Sequence, residues 1–194
     1  MAVGWGEIMK YAAFPAILAC LLLAGCYESK SNLLDTSAAR QPIPSSAGWT
    51  DTRDSSTYHD RLTARSDGWY DFSEASVDKD GKEGTWESHT VLLNDMGANR
   101  GWELYAYTTW DDTEKAYVYG IVAVSNGVWR SDQPNCDTIM GDDPNPPALA
   151  IAVAAGAANE KDSGICDFSS SASLFEALRN YSNTDEFWKS INRQ

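Results

Sequence analysis

The 194 residues are enough for one domain with a tail, or at most two small domains, and 43% hydrophobic with 22% charged content excludes wholesale disorder. Fifteen basic against 28 acidic residues give a formal charge of −13, the wrong sign for a general nucleic-acid binder. Two histidines and four cysteines leave little material for a soft-metal site, and neither a metal nor a cofactor is expected.

The stretch from Tyr11 to Cys26 (YAAFPAILACLLLAGC) carries no charge and contains Pro15. It falls short of the ~20 apolar residues a membrane-spanning helix needs. Its length fits the apolar region of a signal peptide, bounded by Lys10 and by small residues before a cleavage point. The stretch ends in Leu23-Ala24-Gly25-Cys26, which resembles the lipobox of bacterial lipoproteins: a branched aliphatic residue, two small residues and a cysteine. The resemblance covers the first 26 residues, and the rest of the chain resembles no family by specific motifs. It implies removal of residues 1–25, diacylation of Cys26 on sulfur and acylation of its new amino group. Several acyl chains anchor stably where one alone binds marginally. The lipid bilayer is then a partner, and the location is the cell envelope. Tyr27, in place of an aspartate after the cysteine, points to the outer membrane facing the periplasm. The earlier Ile17-Leu18-Ala19-Cys20 has a bulky residue where a small one is preferred. Trp5 and Glu7 stand where positive charge is expected, so translation starts at either Met1 or Met9 remain open.

With Cys20 in the signal and Cys26 lipidated, Cys136 and Cys166 remain, and an oxidising compartment favours a disulfide between them. Closing a loop of about 30 residues stabilises a fold by roughly 3–4 kcal/mol in the chain-entropy model. No further Cys or His flanks the pair, as a metal site would need, and the spacing is not C-x-x-C.

Residues 26–57 are rich in Ser, Thr, Ala and Pro, with Gln41-Pro42-Ile43-Pro44-Ser45-Ser46 at their centre, and read as a flexible tether. A single domain is expected over 58–194. Its first strand opens at Gly68-Trp69-Tyr70-Asp71-Phe72, and Asp78-Lys79-Asp80-Gly81-Lys82 is a turn. Thr85–Leu93 makes a second strand, which Gly97–Gly101 breaks. Trp102–Trp110 alternates cleanly, with Trp102, Leu104, Ala106, Thr108 and Trp110 on one face. Asp111–Glu114 turns the chain into Ala116–Val124, and Asn126-Gly127 is a hairpin signal leading to Val128–Arg130. Beyond Cys136, Ala148–Ala158 is apolar all round and reads as a buried helix. Ser169–Ser171 can cap a helix carrying Leu174, Phe175, Leu178 and Tyr181, and Thr184 one carrying Phe187, Trp188 and Ile191. The expected class is α+β: an antiparallel meander of about five strands, then two or three helices packed on one face, with one disulfide.

Ser76–Glu87 (SVDKDGKEGTWE) partly matches a calcium-binding loop through Asp78, Asp80, Gly81 and Glu87, but Ser76 and Glu83 depart from it and a solvated hairpin turn is expected. His59 adjoins Asp60, and His89 shares a strand face with Glu87, without an accompanying G-x-S-x-G, H-E-x-x-H or phosphate-binding loop. No catalytic residue is assigned. Tyr105, Tyr107, Tyr117 and Tyr119 form a candidate binding face for a glycan, a peptide or a partner protein. The expected role is a membrane-anchored envelope lipoprotein with a non-catalytic binding or accessory function. The alternatives are a small periplasmic enzyme using His59 or His89 with carboxylates, and an acidic inhibitor or immunity protein against a basic envelope hydrolase. The last would act through Asp111-Asp112 or Asp142-Asp143.

Overall fold

The computed structural model describes residues 27–43, 46–53, 56–136, 147–160 and 164–193. The lipobox with Cys26, and Asp142-Asp143, lie outside them. Ten strands are described: β1 (Tyr27–Ser29), β2 (Ser46–Arg53), β3 (Ser56–Ala64), β4 (Tyr70–Val77), β5 (Glu87–Asn99), β6 (Trp102–Asp111), β7 (Ala116–Ser125), β8 (Val128–Asp132), β9 (Ala158–Glu160) and β10 (Ile165–Asp167). The helices are α1 (Pro147–Ala154), α2 (Ser171–Tyr181) and α3 (Asp185–Arg193), with a 3-10 turn at Thr36–Ala38.

Strands β2 to β8 form an antiparallel meander, each paired with the next. Its turns follow from local sequence. Asn126 and Gly127 both have positive φ (51° and 78°), the conformation a two-residue hairpin needs. Arg100 and Gly101 repeat it at 51° and 83° between β5 and β6. Gly97 therefore does not break β5. It sits at a register shift next to Asp95, with a φ of 97° that favours glycine, and its N–H donates to Asp95 Oδ1 at 2.7 Å.

The expected five-strand α+β fold is thus corrected. Strand makes up 48% of the described residues, which are therefore mostly β, with ten strands in one large mixed sheet. Both faces of the central strands are buried, as β5 illustrates: Leu92 joins one cluster with Tyr119, Ile121, Leu174, Leu178 and Phe187, and Leu93 another with Leu62, Tyr70, Tyr105 and Val122. Phe72 of β4 stacks on Trp129 of β8 at 6.4 Å, so the meander curls over this second cluster.

The tether expected over 26–57 is corrected as well. Strand β1 is an interior strand, antiparallel to β7 (Tyr27 opposite Tyr119) and parallel to β10 (Tyr27 opposite Cys166). The chain after it is held by three buried side chains. Tyr119 Oη donates to Ser31 O at 3.0 Å and accepts from Leu33 N at 2.9 Å. Asn94 brackets Asp35, accepting from its N–H and donating to its carbonyl, both at 2.9 Å. Tyr70 Oη makes the same double contact with Ile43, both at 3.0 Å. Residues 46–53 then form β2. A short strand whose partners lie about a hundred residues away leaves no local periodicity to read.

Cys136 and Cys166 form a disulfide, as expected, joining the segment after β8 to β10. Ser170 caps α2 through Ser173 N at 3.2 Å, and Thr184 caps α3 through Phe187 N at 3.2 Å. Asp132 ties β8 to both helices, accepting from Tyr181 Oη at 2.7 Å and Ser190 Oγ at 2.6 Å. Among the described residues no helix is long and apolar enough to cross a membrane.

Candidate functional site

The four tyrosines of the expected binding face do not share a surface. Pairing puts Tyr117 opposite Trp110 and Tyr119 opposite Thr108, so both lie on the face opposite Tyr105 and Tyr107. Tyr117 meets Trp110 edge-on at 5.0 Å, and Tyr119 is fully buried as the clamp on Ser31 and Leu33. Burial pushes the Tyr119 phenol up to about 12, so the clamp hydroxyl stays protonated well into the alkaline range. On the other face, Tyr105 is buried and donates to Glu103 Oε2 at 2.8 Å. The half-buried Tyr107 lies over Gly120, where an added Cβ would stand 2.5 Å from its ring. These aromatics hold the fold rather than present a platform.

The two histidines are also apart. His59 pairs with Ala75 and His89 with Phe72, and these β4 positions face opposite sides of the sheet. His89 is half-buried on β5, near the exposed Glu87. Asp60 is buried on the face opposite its neighbour His59.

His59 instead belongs to a four-residue cluster on the outer face of β3. Its Nδ1 lies 2.8 Å from Glu83 Oε1, and Trp86 Nε1 donates to Glu83 Oε2 at 3.1 Å. The Arg61 guanidinium lies 3.7 Å from the centre of the Trp86 ring and 3.9 Å from Glu83. The hydrogen bonds from His59 and then Trp86 hold the Glu83 carboxyl below its usual range. Both Glu83 oxygens thus have partners, and the cluster fastens the turn between β4 and β5 onto β3. Within that turn Asp78 Oδ1 accepts from Asp80 N and Lys82 N, both at 2.9 Å, so its carboxylate closes its own backbone.

The acidic loop between β6 and β7 behaves similarly. Asp111 is buried and accepts from Thr113 N at 2.7 Å and Glu114 N at 3.0 Å. Asp112 accepts from Trp110 Nε1 at 3.1 Å and Lys115 Nζ at 3.3 Å. The expected acidic recognition loop is therefore in part an internal turn lock.

Two features lay beyond sequence reasoning. Glu28 of β1 is only 5% exposed, and its carboxyl is pushed up to about 7, first by burial, then by Glu114, Asp111 and Asp167, against the pull of Lys30. A recess of about 330 Å³ is lined by Arg100, Asp185, Trp188, Lys189 and Asn192. There Arg100 lies 5.1 Å from the Trp188 ring centre and 3.7 Å from Asp185, and the buried Trp188 Nε1 finds no partner among the described residues. A helix face brought against an Arg-Gly turn from far earlier in the chain gives no sequence signal for such a recess.

The chain matches no known family model, no curated protein and no solved structure.

Proposed function

We propose that the protein is a lipid-anchored envelope protein, held to the bilayer through acylated Cys26, with a non-catalytic binding or accessory role. The observation that carries this reading is the sequence Leu23-Ala24-Gly25-Cys26, followed at once by an interior strand of the fold. The disulfide supports it, because pairing of Cys136 with Cys166 leaves Cys26 as the remaining cysteine once residues 1–25 are removed. An oxidising compartment is where such a bond persists. Tyr27 after the cysteine favours the outer membrane, facing the periplasm. A binding role is favoured over catalysis because His59 and Trp86 both hydrogen-bond Glu83 and so fasten a turn. The partner class is an envelope protein or a cell-wall glycan.

The test is mass analysis of the N-terminal peptide from protein produced in a lipoprotein-processing bacterium. The expected result is an acylated peptide beginning at Cys26, lost in Cys26→Ala. An unmodified Cys26, or a mature N-terminus elsewhere, overturns the proposal. Cross-linking in intact cells then identifies what the domain binds.

A further inference from the structure

Helix α1 reads Pro-Ala-Leu-Ala-Ile-Ala-Val-Ala and carries no polar side chain. A surface helix of a water-soluble domain turns a polar stripe to solvent. Here Ala148, Leu149 and Ala152 enter the core, while Ala150, Val153 and Ala154 face outward. Val153 is 50% exposed, and the other exposed large hydrophobic among the described residues is Val128, beside the β7–β8 turn. The buried helix expected over Ala148–Ala158 is therefore buried on one side only. It stops at Gly156 (φ 91°), where Ala157 N donates to Ala152 O and Gly156 N to Val153 O, both at 3.0 Å.

The position of this apolar side identifies its cover. Tyr27 Oη donates to Ala148 O at 2.8 Å, so α1 is fastened to the first residue of β1. Cys26 is the residue before Tyr27, about 3.8 Å away from Cα to Cα. Its acyl chains would start within one residue and one tyrosine side chain of the helix. A flexible tether of some thirty residues would let the domain drift roughly 30 Å from the bilayer. Strand β1 removes that slack, because it is paired on both sides from Tyr27 onward. At about 12 Å long, α1 is far too short to span a bilayer, but apolar side chains of this kind settle at the boundary between headgroups and acyl chains. The chain's formal charge of −13 opposes attraction to anionic lipid, so apolar contact beside a covalent anchor is what holds the face down.

We infer that the outward side of α1, with Ala150, Val153 and Ala154, rests on the lipid bilayer beside acylated Cys26. This inference rests on the anchored reading of Cys26, and the test separates the two. With Cys136 and Cys166 bonded and Cys26 acylated, Val153→Cys introduces a unique free thiol for an environment-sensitive dye. The labelled, acylated protein is reconstituted in phosphatidylcholine–phosphatidylglycerol vesicles and compared with Asp80→Cys, in the β4–β5 turn. Expected are a blue-shifted emission at 153 that brominated lipid quenches, and neither effect at 80. Ala150→Cys provides a second position on the same side if the first variant melts early. Water-like emission at 150 and 153, in protein that floats with the vesicles and carries acylated Cys26, overturns the inference and leaves the anchor standing. A blue shift insensitive to brominated lipid also overturns it, assigning the face to another protein surface. An N-terminal peptide without acyl chains overturns the anchored reading itself, and this inference with it.

Discussion

Glu28 makes stability depend on pH in a direction opposite to that of most carboxylates. The residue lies in an interior strand, 5% exposed, between Val118 of β7 and Asp167 of β10. Burial first, and then the neighbouring Glu114, Asp111 and Asp167, raise its carboxyl from 4.5 in the unfolded chain to about 7. The folded state therefore binds the proton more tightly than the unfolded state, and folding is penalised as pH rises between those two values. At about 1.4 kcal/mol per pH unit, the full penalty is roughly 3 kcal/mol above neutrality and vanishes below pH 4.5. Glu28→Gln keeps the shape and removes the ionisation. Urea unfolding of both proteins is expected to show the variant more stable by about 1 kcal/mol at pH 5 and about 3 kcal/mol at pH 8. Taking the difference between the two proteins cancels the other titrating groups. Equal differences at both pH values would refute the assignment of a raised Glu28 carboxyl.

Replacing both Cys136 and Cys166 by serine is expected to destabilise the domain by about 3–4 kcal/mol in urea, whereas an unchanged midpoint would mean that the bond constrains nothing. Tyr119→Phe leaves Leu33 N and Ser31 O without their partner; a loss of about 1–3 kcal/mol is expected, with faster amide exchange over residues 31–35. Gly120→Ala places a Cβ 2.5 Å from the Tyr107 ring and 2.6 Å from Asp132 O. A loss of about 1–3 kcal/mol or more follows, and adding Tyr107→Ala should restore only part of it, because the backbone clash stays. His59→Ala should leave the melting temperature nearly unchanged but speed proteolytic nicking of residues 78–86, since it releases a turn on an exposed face.

The parts of the fold legible in the sequence are those whose cause is local. Asn126-Gly127 specifies its hairpin by backbone preference alone, and the alternation of Trp102–Trp110 specifies the two faces of β6. Ser170 and Thr184 were readable as caps because a hydroxyl before an amphipathic run serves the helix's own first N–H groups. The disulfide was readable by counting cysteines. Strand β1 was not, because three residues flanked by polar ones gain strand character only from β7 and β10, far along the chain. The tyrosines misled for a related reason. Tyr117 and Tyr119 repeat the spacing of Tyr105 and Tyr107, yet which face each pair takes depends on cross-strand register, and sequence alone does not fix it. The clustering of His59 with Glu83 and Trp86 required a turn to fold back over β3, and nothing in the turn's own composition announces its target.

The three-residue strand at Tyr27–Ser29 also sets an order of events. It is among the first parts of the domain to be synthesised, yet it pairs with β7 and with β10, which emerge much later. Contacts this distant in sequence form late, because the loop between them must close before any pairing is gained. On the proposed anchored reading, the segment after Cys26 would stay extended and accessible during export while the meander β2–β8 assembles behind it. An enzyme cleaving and acylating at Cys26 would meet an unpaired chain, and docking of β1 would follow once Cys166 had arrived beside it. Attachment to lipid would precede completion of the fold, and the last strand into place would be the one already fixed to the membrane.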